Sequence, residues 1–342
     1  MPRTTAPLPF ADRLLGWWRE NGRHDLPWQH PRDPYRVWIS EIMLQQTQVE
    51  TVIGYFDRFM RRFPKLDTLA AAELDEVLSL WSGLGYYARA RNLHAAARQV
   101  RENFGGALPA EAEALVQLPG VGRSTAAAIV AQAFNRRAVI LDGNVRRVVA
   151  RHAGIKGWSG TPAVERELWR EADRRTPDHR AADYTQAIMD LGATVCRRRS
   201  PVCQACPVAA DCVAENRNLQ HELPTPRPKR KLPERTSRYL IARDASDRVL
   251  LMRRPPSGVW GGLWCLPEVG GLELEAVELF PAPRSIRHVF THFALQMSFD
   301  HARVRIRPQR VAEESELAWF TLAQALAIGL PQPVRKVLAE LE

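Results

Sequence analysis

The chain has 342 residues, 45% apolar and 25% charged, with 48 Lys and Arg against 38 Asp and Glu for a formal charge of +10. That length exceeds one typical core and predicts two domains, and the balance is that of a folded globular protein rather than a disordered one. No apolar run reaches membrane-spanning length and the first residues lack a signal peptide's apolar core, so no membrane role is expected, and a cytoplasmic protein with a polyanionic partner is.

In chain order, amphipathic spacing covers 8–21, and Leu26-Pro27-Trp28 and Pro31-Arg32-Asp33-Pro34 then form a rigid loop. One long helical pattern runs from Tyr35 to Phe59 through Trp38, Ile42, Val49, Val52, Ile53 and Phe56. Further helices are predicted at 67–81, 86–103, 111–118, 123–134, 142–152, 162–174 and 181–193, with no strand before 235. Within them, Leu118-Pro119-Gly120-Val121-Gly122-Arg123-Ser124 reads as a glycine hairpin between two helices. Its uncovered amides at a helix N-terminus suit a nucleic-acid phosphate.

Four of the five cysteines lie between 196 and 212, spaced Cys196-x6-Cys203-x2-Cys206-x5-Cys212. In a cytoplasmic chain this favours a metal site over disulfides. Four thiolates on a short, proline-broken loop suit either an iron–sulfur cluster or zinc, held as a structural staple. Arg197, Arg198 and Arg199 give that loop a basic surface, and Cys265 is expected in a core. A proline-rich basic linker occupies 223–235. Beyond it, 239–242, 249–252 and 294–299 read as strands, and 321–328 and 334–341 as helices. The predicted fold is multidomain: an all-α domain at 1–222, and an α/β (α+β) domain at 236–342.

Five motifs in order carry a resemblance. They are Ser40-Glu41-Ile42-Met43-Leu44-Gln45-Gln46-Thr47-Gln48-Val49, the run Gly83 to Leu93, the glycine hairpin, Leu141-Asp142-Gly143-Asn144-Val145, and the cysteine loop. Together they resemble the helix–hairpin–helix DNA glycosylases of the endonuclease III branch and, within it, the MutY-type adenine DNA glycosylases. The resemblance implies a monofunctional base-excision-repair enzyme acting as a nucleoid-associated monomer. Its partner would be duplex DNA carrying A:8-oxoguanine or A:G mispairs, and Cys196, Cys203, Cys206 and Cys212 would hold one [4Fe–4S] cluster.

The same resemblance assigns roles by residue. Glu41 protonates the adenine, chiefly at N7, and later helps activate water. Asp142 stabilises or transiently bonds the anomeric carbon, and Asn144 hydrogen-bonds near it. Gly120, Gly122 and Arg123 grip the phosphate backbone, Gln46 and Leu84 act as wedges, and Tyr86 stacks beside 8-oxoguanine.

Elementary chemistry agrees, because cleaving an N-glycosidic bond needs an acid for the leaving base and an anion for an oxocarbenium-like sugar. Glu41 falls about 70° from the centre of the Trp38/Ile42/Val49/Ile53 face, where partial burial raises a carboxyl pKa. Taken alone, a helix-edge glutamate is a solvated residue and Asp142 an N-cap. Ser124 stands where lyase relatives carry lysine, and a hydroxyl cannot form an imine.

Val259 to Pro267 looks like the approach to a Nudix box, but Gly270 to Glu278 lacks the R-E-x2-E-E carboxylates that hold magnesium. A Nudix-like recognition domain is therefore expected, with Thr291 and His292 reading 8-oxoguanine. The alternatives are an endonuclease III-type glycosylase/lyase on oxidised pyrimidines, which calls for lysine at 124, and a non-catalytic iron–sulfur DNA-binding protein. A nucleotide pyrophosphatase is disfavoured by the missing carboxylates.

Overall fold

The computed structural model describes residues 8–228, 231–256, 258–270, 275–305 and 316–341. The helices, in order, are α1 (Phe10–Asn21), α2 (Pro34–Leu44), α3 (Val49–Arg62), α4 (Leu66–Ala71), α5 (Leu74–Leu80) and α6 (Ala88–Asn103). Then come α7 (Ala112–Leu115), α8 (Arg123–Phe134), α9 (Gly143–Ala153), α10 (Pro162–Arg175) and α11 (Ala181–Asp190), which runs into a π-turn at Leu191–Val195. A 3-10 turn at Cys203–Ala205 and α12 (Val213–Asn216) complete the cysteine loop. None of these helices is long and apolar enough to cross a membrane.

The single helix expected over 35–59 is two. It breaks between Leu44 and Val49, where Gln46 takes a left-handed φ of 59°. Both pieces bury apolar residues (Trp38 and Ile42 in α2, Val52 and Phe56 in α3), so the spacing alone runs through the break. The helix expected over 67–81 likewise divides into α4 and α5. Asp33 caps α2 by accepting Arg36 N–H, with Pro34 in the first turn.

Helix α8 is buried all round from Ala126 to Gln132 and packs against α2 and α11. Small alanines let those neighbours approach closely. A second helical core gathers Leu14, Leu15 and Trp18 of α1 with Val148 and Val149 of α9 and Ile188 of α11. Each large apolar side chain so buried contributes about 1.5–3 kcal/mol.

Compactness divides the chain into two units, Met1–Ala70 with Ala95–Lys229, and Ala71–His94 with Arg230–Glu342. The second unit thus takes α5 and the start of α6 from the middle of the helical sequence. Its sheet comprises β1 (Glu234–Arg243), β2 (Val249–Arg253), β3 (Trp264–Cys265), β4 (Glu275–Val289), β5 (Ala294–Arg305) and β6 (Leu317–Phe320), followed by α13 (Leu322–Ala327) and α14 (Gln332–Ala339).

The strand order is β3-β2-β1-β5-β4, with β6 on β2. β1 and β5 are parallel, and the other pairs antiparallel. Tyr239, Ile241, Met297 and Phe299 share a core with Val334, Val337 and Leu338 of α14, while Ala242, Leu250 and Ala302 pack on the other face. Cys265 is a buried core thiol, as expected. Of the Gly270–Glu278 stretch that lacks the Nudix carboxylates, 271–274 lie outside the described residues and 275–278 open strand β4. No strand was expected over these residues; β4 is an edge strand whose register on β5 shifts between Phe280 and Arg284.

Asp190 closes the first unit. Its fully buried carboxylate accepts from Trp18 Nε1 (2.9 Å), Arg23 N (2.9 Å), Arg23 Nε (2.8 Å) and Gln186 Nε2 (2.8 Å). Asp190→Ala strands buried donors and should lower unfolding free energy by about 3 kcal/mol in urea titrations. A loss under about 1 kcal/mol would show that water replaces the carboxylate there.

Candidate active site

Glu41 sits in the last turn of α2. The residue is half-buried, but its carboxyl lies deep enough that desolvation raises its pKa to about 7, and the charge of Asp142 adds to the effect. Opposing these, Gln132 Nε2 donates to Oε1 at 2.7 Å. With Oε1 already accepting, a proton on Glu41 is directed to Oε2. The predicted margin position was right in outcome, although Val49 and Ile53 belong to a different helix.

Asp142 is both the cap and the second carboxylate. Oδ1 accepts Val145 N–H at 2.8 Å at the start of α9. Burial raises its pKa, while the amides of Val145 and Asn144 and the charges of Arg147 and Arg146 pull it back. Asn144 Oδ1 accepts from Arg147 Nη2 (2.8 Å), and the same guanidinium donates to Gly192 O (2.6 Å) and Cys196 O (2.6 Å). A Cβ at Gly192 would lie 2.6 Å from that of Asn144, so the π-turn approaches α9 as only glycine permits. Arg147 therefore ties the turn at Asn144 to the first cysteine.

Ser124 Oγ accepts Leu141 N–H at 2.9 Å, one residue before Asp142. Sequence reasoning missed Gln132 and Arg147. Gln132 was detectable as the lone amide in the run Ala126 to Phe134; Arg147 is one arginine among many and its partners lie far along the chain.

In the hairpin, Gly120 takes a left-handed φ of 78°, whereas Gly122 is extended at φ −88° and serves as the cap of α8. A Cβ at Gly122 would meet nothing within 4 Å. Gln45 Nε2 donates to Gly120 O and to Thr125 Oγ1, both at 3.3 Å, linking the end of α2 to the hairpin. Arg123 is exposed, its guanidinium 3.8 Å from the centre of the Trp169 ring. Gln46 is exposed next to Gln45.

The four clustered cysteines are free thiols lining one cavity with Val148, Leu191, Val195 and Val208. Burial pushes Cys203 up to about 12, with Glu215 and neighbouring thiols adding to it, and Cys206 up to about 11. Thiolates would exist here only with positive charge among them, which a metal centre supplies. Soft donors around an apolar wall fit an iron–sulfur cluster. Among the described residues no three His, Cys, Asp or Glu side chains converge on a single ion. Arg151 is buried against the loop, donating to Arg197 O (2.7 Å) and Cys196 Sγ (3.4 Å), and Arg197, Arg198 and Arg199 are exposed as expected.

Leu84 and Tyr86 belong to the second unit; Leu84 is buried and Tyr86 is 49% exposed. Thr291 and His292 are exposed at the β4–β5 turn, with Thr291 Oγ1 3.4 Å from His292 Nδ1.

Residues 39–174 match the HhH-GPD superfamily base excision DNA repair proteins and residues 238–340 the NUDIX domain. The adenine DNA glycosylase of Buchnera aphidicola subsp. Acyrthosiphon pisum is 36% identical over 338 residues, covering 96% of each chain. That of Mus musculus is 46% identical over 223 residues, covering 63% of this chain and 43% of the mouse protein. Among solved structures, a thermostable thymine-DNA glycosylase superposes with a TM-score of 0.54 at 30% identity, covering 60% of this chain and 95% of its own. A non-covalent endonuclease III–DNA complex shares the fold, with a TM-score of 0.53 at 23% identity over 61% of this chain and 95% of its own.

The buried Glu41 has a measurable cost. Its folded-state pKa of about 7 lies above the ordinary 4.5, so the fold holds an extra proton between those values and loses stability as pH rises through them. Glu41→Gln should match the parent near pH 4 and exceed it by roughly 3 kcal/mol at pH 8 in urea unfolding. An equal difference at both pH values would rule out the buried titration.

Proposed function

This chain belongs to the adenine DNA glycosylases of the HhH-GPD base excision DNA repair superfamily, and we propose that its substrate is adenine opposite 8-oxoguanine, or opposite guanine, in duplex DNA. It is a DNA N-glycosylase. The observation that carries the finer reading is the paired carboxyls: Glu41, protonated up to about pH 7, and Asp142, supported by two backbone amides and two arginines. Glu41, its Oε1 occupied by Gln132, donates from Oε2 to N7 of the departing adenine. Asp142 stabilises the positive charge that develops at the anomeric carbon, and water completes hydrolysis. Asn144, held by Arg147, orients the capped turn.

Gly120, Gly122 and Arg123 would take a backbone phosphate, Gln46 and Leu84 would fill the space left by the extruded base, and Tyr86, Thr291 and His292 would face the opposite base. Ser124 supports monofunctional hydrolysis, since its oxygen is engaged by Leu141 and it carries no amine. Cys196, Cys203, Cys206 and Cys212 would hold a [4Fe–4S] cluster whose role is structural, because four protein ligands leave no open position. Iron and acid-labile sulfide in equal amounts, both lost in Cys206→Ala, are expected; zinc in their place would overturn the assignment.

Single-turnover assays on duplexes with A:8-oxoguanine, A:G, A:T or an oxidised pyrimidine, with borohydride in parallel, test the reaction. Adenine release from A:8-oxoguanine without strand nicking is expected, with the rate falling as pH rises through about 7. Glu41→Gln should lower it by about 10²–10⁴-fold. Nicking that keeps pace with base release, together with a preference for the oxidised pyrimidine, would make the chain a lyase instead.

A further inference from the structure

Between α5 and α6 the backbone is left-handed at Gly83 (φ 96°), Gly85 (φ 79°) and Tyr86 (φ 51°). A tyrosine in that region persists only where its surroundings over-determine it. Part of the restraint is local. Arg89, itself buried, donates to Gly85 O (3.1 Å) and Leu84 O (3.4 Å), with its guanidinium 5.4 Å from the Tyr86 ring centre, and Trp81 Nε1 donates to Gly85 O (3.1 Å).

Tyr87 reaches further. Its hydroxyl donates to Leu330 O at 2.8 Å, while its oxygen lies 3.4 Å from Gly83 N as acceptor. One phenol thus spans a loop amide and the turn after α13. The neighbouring contacts reinforce the placement: Ser79 Oγ donates to Ala327 O (2.7 Å), Arg91 Nη1 to Gly261 O (2.5 Å), and Arg253 pairs with Asp75. A Cβ at Gly329 would come within 3.2 Å of Leu78 Cβ, and Gly329 O accepts Trp264 N–H of β3 at 3.0 Å. The loop is keyed into the same compact unit that carries Thr291 and His292.

We propose that Tyr87 is a positioning residue: by bonding Gly83 N–H and Leu330 O it anchors the Gly83–Tyr86 loop to the C-terminal part of its unit, and so sets how fully the target base is extruded. The proposal rests on the reading of Leu84 and Tyr86 as the residues that enter the duplex. Losing the hydroxyl removes the loop's link to Leu330 and leaves only the local bonds from Arg89 and Trp81, with the ring still in place.

The test uses the full chain and a duplex with 2-aminopurine in the adenine position opposite 8-oxoguanine, whose fluorescence rises on unstacking. In Tyr87→Phe the rise at saturating protein should shrink and single-turnover adenine excision should slow about tenfold, the equivalent of one hydrogen bond. Affinity for undamaged duplex, read by anisotropy, should stay within about twofold. Ser79→Ala, at a half-buried position, should move the same readouts in the same direction and serves if Tyr87→Phe does not fold. An unchanged fluorescence rise overturns the proposal, as does a parallel fall in undamaged-duplex affinity and melting temperature, which marks a general folding role. Leu84→Ala and Tyr86→Ala run alongside. If they too leave extrusion intact, the reading of the loop as the entering element fails; if they abolish it while Tyr87→Phe does not, the anchoring role alone fails.

Discussion

Two carboxyl groups sharing a poorly hydrated region cannot both be ionised cheaply, and the surroundings of Glu41 and Asp142 apportion that cost unequally. Asp142 has the amides of Val145 and Asn144 and the charges of Arg147 and Arg146 on its side, at the positive end of α9. Glu41 has one neutral amide, that of Gln132, and faces the negative charge of its partner. The proton therefore settles on Glu41. Acid and anion differ by environment rather than by residue type, and the division follows from which of them stands at a helix N-terminus.

Helix α8 acts as the jig for that arrangement. Gln132 near its end reaches Glu41, Ser124 in its first turn receives Leu141 N–H, and Thr125 receives Gln45. Three polar residues on this alanine-rich helix thus touch Glu41, the segment before Asp142, and the end of α2. Since α8 begins at the glycine hairpin, that turn and the carboxyl held near the helix's C-terminal end refer to one element.

Much of this was legible in the chain. Helices α1, α6 and α8 to α11 follow apolar spacing and punctuation at Gly, Pro and Asp, and Glu41 and Asp142 stand out once their motifs are read together. What escaped has physical reasons. The break at Gln46 is invisible to periodicity because α2 and α3 both feed apolar residues inward. β4, at the edge of the sheet, was not among the strands read from the sequence, and its register on β5 is broken by two shifts. Gln132 and Arg147 act on partners many residues away, so no local pattern reveals them. The grouping of 71–94 with the C-terminal residues depends on long-range contacts such as Tyr87 with Leu330, which a reading in chain order cannot supply.

The bond from Leu141 N–H to Ser124 bears on how such enzymes change chemistry over evolutionary time. A mutation of Ser124 to lysine brings in the amine a lyase needs, yet it also withdraws the acceptor of a part-buried amide immediately before Asp142. An unmet donor there costs about 1–3 kcal/mol and removes a bond that holds the chain immediately before Asp142. Exchanging serine for lysine at 124 is thus coupled to the stability of the neighbouring turn, and a second change that satisfies Leu141 N–H would offset the loss.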